Sequence, residues 1–74
     1  MIKDLFKKNE IILRDNYIHI KYYSNIIDIS DNKIEVTLDQ KVLLIKGKML
    51  IVCALNEYEI VIKGVIKSIE FINE

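Results

Sequence analysis

One histidine and one cysteine bound the chemistry open to this chain. His19 has no second imidazole beside it, so neither a histidine-paired metal nor a nucleophilic relay with a spare ligand can be built around it. It falls in Tyr17-Ile18-His19-Ile20-Lys21, on the face shared with Tyr17 and Lys21. There it reads as a solvent-facing strand residue rather than a catalytic or pH-sensing group. Cys53 stands among Val52, Ala54 and Leu55, with no neighbouring cation to stabilise a thiolate. A buried, inert small hydrophobe is expected there. A lone cysteine closes no disulfide within the chain and makes no cysteine metal site. It fits a reducing, cytoplasmic setting.

The oxygen-bearing side chains of Asp28-Ile29-Ser30-Asp31-Asn32 alternate as in a calcium loop. Such a loop needs Gly where Lys33 stands and a bidentate Glu where Asp39 stands, so a turn between strands explains them better. Tyr17, Tyr23 and Tyr58 offer rings on which bases would stack, and Tyr17, His19, Lys21 and Tyr23 together would form a binding face. That is the alternative reading: a small β-barrel binding single-stranded nucleic acid or a small ligand. Eleven acidic and eleven basic side chains cancel, however, which removes the cationic surplus that phosphates require. No nucleic-acid partner is expected, and charge alone gives no hold on an anionic membrane. With two glycines there is no phosphate loop, and no serine elbow or isolated carboxylate pair stands out. No catalytic residue, cofactor or metal is expected, and the chain does not read as an enzyme.

Seventy-four residues make one small domain, which buries only about 60% of the surface its unfolded chain exposes. Residues 1–8 read as an N-terminal extension, either a short amphipathic helical turn with Ile2, Leu5 and Phe6 on one side or a frayed end. They contain no apolar signal region, and the longest apolar run, Met49 to Leu55, is too short to span a bilayer. No direct membrane insertion is expected. Residues 9–74 read as a single domain of seven to eight short strands. In Lys33-Ile34-Glu35-Val36-Thr37-Leu38 the apolar positions alternate inward, and Ile18 and Ile20 do the same in the strand before Lys21. Asp39-Gln40 suits a two-residue hairpin.

From Lys41 the chain says nearly the same thing twice: Ile45-Lys46-Gly47 is followed by an apolar run, and so is Ile62-Lys63-Gly64. Gly47 and Gly64 are expected in tight turns, each between two separate strands. Short strands at this spacing predict an antiparallel all-β sandwich or barrel. The strands beside the glycines are apolar on both faces, so a second face needs cover. Its expected anchors are Leu44, Leu50, Val52 and Val61, with Tyr23 and Tyr58 at the rim, against a protein partner or another copy of the chain.

Leu43-Leu44-Ile45-Lys46-Gly47-Lys48, then Glu59-Ile60-Val61-Ile62-Lys63-Gly64, then Ile66-Lys67-Ser68-Ile69-Glu70-Phe71 resembles the YabP/YqfC family of sporulation proteins, its YqfC-like branch in particular. The likeness covers about residues 10–72. It implies an immunoglobulin-like β-sandwich with no known enzymatic activity and no catalytic residues to carry over. It also implies a cytoplasmic protein of the mother cell in an endospore-forming bacterium, acting by protein contact in spore cortex or coat assembly. Members tend to be encoded beside sporulation membrane proteins, which implies such a partner and a place peripheral to the forespore membrane. The chain departs from the family in a shortened N-terminal portion and a more apolar strand at 49–55.

Overall fold

The computed structural model describes residues 9–39 and 41–73. Six strands are formed: β1 (Glu10–Leu13), β2 (Tyr17–Lys21), β3 (Asn25–Ile29), β4 (Lys33–Leu38), β5 (Lys41–Leu55) and β6 (Glu59–Asn73). They make a single open antiparallel sheet in the order β1-β2-β6-β5-β4-β3. There is no helix among the described residues, and the helical turn expected at the N-terminus lies outside them.

The strand order sets one short hairpin on each side of the long β5–β6 hairpin, and the sequence supports it locally. The β1–β2 and β3–β4 hairpins both turn on Asp-Asn, at Asp15-Asn16 and Asp31-Asn32. Arg14 N–H donates to the Tyr17 carbonyl at 2.9 Å, and Ser30 N–H donates to the Lys33 carbonyl at 2.8 Å. These are the same bond at equivalent places in the two turns. The first hairpin lies along β6 and the second along β5. Between β4 and β5 the turn carries Asp39 at φ 53°, a conformation that Asp tolerates and β-branched residues avoid. Between β5 and β6 the Asn56 side-chain oxygen accepts from the Tyr58 and Glu59 N–H groups, both at 3.0 Å.

Seven or eight strands become six because the two Ile-Lys-Gly corners are not turns. Gly47 lies inside β5, opposite Ile66, and Gly64 lies inside β6. The β5–β6 ladder runs past both, with its register shifted between Lys46 and Gly47 and again between Lys48 and Ile51. Extra residues in a ladder bend and twist a strand without reversing it. Glycine is needed here for close approach. A Cβ on Gly47 would run into the Val65 carbonyl oxygen, and one on Gly64, at φ 137°, would lie 2.6 Å from the Met49 carbonyl oxygen. The hairpins cap the bend from outside: Asn32 O accepts from Gly47 N–H at 3.1 Å, and Asn16 O from Gly64 N–H at 3.0 Å.

One hydrophobic cluster results. Ile18 and Ile20 of β2 join Ile34, Val36 and Leu38 of β4, Leu43, Ile45 and Leu50 of β5, and Ile60 and Ile62 of β6. Both halves of the long hairpin therefore contribute to one core. The inward alternation expected for β2 and β4 is what the structure has. Val42 and Leu44 are also buried, although they point to the opposite face of β5 and lie outside the cluster.

Candidate functional site

Of the side chains expected to form a binding face, His19 and Lys21 on the outer face of β2 are engaged with neighbours, and Tyr23 lies beyond the strand against the core. His19 stands opposite Val61, one diagonal step from Glu59. Its Nε2–H donates to Glu59 Oε1 at 2.7 Å, with the two side chains 22% and 28% exposed. The histidine is thus half-buried and paired rather than free in solvent. Sequence reasoning missed Glu59, because the two residues are 40 positions apart and only the β2–β6 register joins them. Lys21 Nζ lies 3.7 Å from Glu10 on β1, a partly exposed pair of small energetic consequence. Tyr17 is half-buried opposite Lys63.

Asp28 and Asp31, which the calcium reading needed, do not converge with a third ligand. Among the described residues no group of three or more His, Cys, Asp or Glu side chains is placed to hold a metal. Ser30 instead closes its own turn, its hydroxyl donating to the Lys33 carbonyl at 2.9 Å and accepting from Lys33 N–H at 3.1 Å. Asp28 lies 3.7 Å from Lys33 Nζ.

The expected interface anchors divide. Leu50 is a member of the core, and Leu44 is buried at 8% exposure, so neither is an uncovered contact. Val52 is half-buried against the core, and Val61 is half-buried beside His19 on the outer face. Of the two expected rim tyrosines, Tyr58 stands exposed at the β5–β6 turn, whereas Tyr23 packs against the core, because Tyr22 at φ 62° breaks the alternation and takes the outward place. The Tyr23 hydroxyl donates to the Asn56 carbonyl, and the Tyr58 carbonyl accepts from Tyr22 N–H. The Tyr22 and Tyr58 rings stack, with centroids 5.8 Å apart and planes at 17°.

The two most exposed large apolar side chains among the described residues lie along the second half of β5. Met49, Ile51 and Leu55 are 69%, 64% and 53% exposed. Ala54 is exposed too, and so is Cys53, against the expectation of a buried thiol. The reason is a bulge between Val52 and Ala54, which leaves Cys53 unpaired with β6 and shifts the phase of every later side chain. This stretch is also an edge. β4 covers β5 only as far as Lys46, and the β3–β4 turn takes the N–H groups of Gly47 and Leu50. From Ile51 to Leu55 the outer side of the strand has no backbone partner among the described residues. From Met49 to Leu55 there is not one charged residue, while Lys48 precedes the stretch and Glu57 follows it. That charge-free interval with opposite charges at its ends was the available sequence signal.

A groove of about 530 Å³ opens between Asn9 and Ile11 on one side and Leu38, Asp39, Lys41 and Phe71 on the other. Within its lining the Lys41 ammonium sits 5.5 Å from the centre of the Phe71 ring, a cation–π contact. Set beside known proteins, the chain matches no family model, and no curated protein or solved structure is found similar to it.

Proposed function

We propose that this chain is a non-enzymatic assembly protein that works by protein contact in building the spore envelope, in the mother-cell cytoplasm of an endospore-forming bacterium. The observation that carries the contact reading is the uncharged, one-sided edge of β5, where Met49, Ile51 and Leu55 stand in solvent. An isolated sheet normally guards such an edge with charge, proline or a covering element, and an unguarded one is a template for another strand or apolar surface. The envelope setting is supported by the YabP/YqfC-like motifs, which run through β5 and β6. On this reading the sheet, bent at Gly47 and Gly64, closes over its core as a two-layer, immunoglobulin-like sandwich. A sporulation membrane protein at the forespore surface is the partner class the resemblance favours.

The test is localisation during sporulation. A fluorescent fusion of the wild-type chain is expected to gather at the forespore surface, and the Ile51→Lys fusion to spread through the mother cell at the same abundance. A wild-type fusion that stays diffuse through every stage of spore formation would overturn the assignment.

A further inference from the structure

Resting on that reading of the β5 edge as a contact surface, we infer that the edge pairs with a second copy of this chain. The two strands join antiparallel about a two-fold axis near Val52. An axis of that kind passes perpendicular to the sheet and keeps the core faces of both copies on one side, so the sheet continues from one chain into the other. Ile51 then stands opposite Cys53 of the second copy and Val52 opposite Val52, while Leu50, whose N–H the Asp31 carbonyl already takes, and Met49 approach Ala54 and Leu55 through side chains alone. No charge lies anywhere in that overlap to be desolvated. The ends complement one another: Lys48 meets Asn56 of the second copy, beside its Glu57, and the two-fold repeats this at the other end.

The remaining edges are less suited to a copy of themselves. Beyond Gly64 the outer side of β6 is also unpaired among the described residues, but it carries Lys67 and Glu70. β3 is broken by a bulge between Ile26 and Asp28, and β1 opens on Glu10. Charges and bulges blunt an edge. Because a two-fold contact uses the same patch on both chains, it closes at two and does not propagate into a fibre. Five residues of open edge, with a bulge among them, make a small interface, so the pair is reversible rather than obligate.

Cys53 provides the test without being altered. In this register the two Cys53 residues are diagonal cross-strand neighbours, about 7–8 Å apart, within reach of a short bis-maleimide. Sedimentation and light scattering of the full chain, from roughly 10 µM to 1 mM, should show the mass rising from one chain to two. Ile51→Lys, and independently Leu55→Lys, should leave the circular dichroism unchanged and weaken the pair at least tenfold. The bis-maleimide should join wild-type chains through Cys53 and fail on either variant. A chain that stays monomeric throughout would overturn self-pairing. The contact reading would still stand in that case if the Ile51→Lys fusion nevertheless leaves the forespore surface. A dimer that ignores both substitutions and does not cross-link through Cys53 would place the interface elsewhere and overturn this one.

Discussion

Gly64→Ala tests whether the bend in the long hairpin holds both its halves over one core. The added methyl would lie 2.6 Å from the Met49 carbonyl oxygen and 3.0 Å from both the Leu50 Cα and the Lys48 carbonyl oxygen. All three are backbone atoms of β5, so no side chain can rotate to make room. The φ of 137° is itself open to glycine and strained for alanine. Backbone strain of about 1–3 kcal/mol and a similar overpacking term give a central loss near 4 kcal/mol. At ~0.05–0.15 kcal/mol per residue, a chain of 74 residues has roughly 4–11 kcal/mol in all. With ~4–8 °C of Tm per kcal/mol in a domain this small, Tm should fall by roughly 16–32 °C. Thermal and urea melts followed by far-ultraviolet circular dichroism would measure it, with Val65→Ala, at a half-exposed neighbour, as the control. A fall under about 5 °C, with an unchanged spectrum, would mean that the bend relaxes around the methyl and does not require glycine.

Three further outcomes follow from the packing. Leu44 is buried between Glu35 and Glu70 on its two cross-strand neighbours, so Leu44→Asp puts a third carboxylate there and should cost ~3–5 kcal/mol, whereas Leu44→Lys should cost clearly less; equal losses in urea melts would refute that placement. Ile62→Val removes one methylene from a fully buried site and should cost about 0.5–1.5 kcal/mol, read from the same melts with the slope unchanged. For His19 and Glu59, a double-mutant cycle with alanine should return a coupling of about 0.5–1 kcal/mol near pH 7, and no coupling would deny the 2.7 Å contact.

What could be read from the sequence tracks where one periodicity acts alone. β2 and β4 alternate with period two, and their inward residues, Ile18, Ile20, Ile34, Val36 and Leu38, are the buried ones. The turns at Asn16, Asn32 and Asn56 were legible because Asn and Asp carry their own local hydrogen bonds. β5 and β6 were misread as four strands because glycine signals a turn and a bend equally, and only the pairing across the hairpin tells them apart. The run from Met49 to Leu55 hid its own faces: all seven residues are apolar, and the bulge at Cys53 resets the alternation within it. Leu50 therefore went to the surface in the reading and to the core in the fold. Glu59 was invisible as the partner of His19 because register between distant strands is a property of the whole sheet.

The strand order also sets a timetable. β4, β5 and β6 follow one another through short turns and can pair as they appear. β2 cannot, since its inner neighbour is β6, and Ile20 meets Ile60 only when a further 40 residues have been added. A ribosome therefore releases the β1–β2 hairpin long before the surface it docks on exists. Until then Ile18 and Ile20 have no strand to cover them, an exposed interval that chaperones handle in larger proteins. Closing that long loop is the entropically costly step, and it should make docking of the first hairpin the slow phase of folding. For its opening hairpin, the order in which the chain is made runs opposite to the order in which it can close.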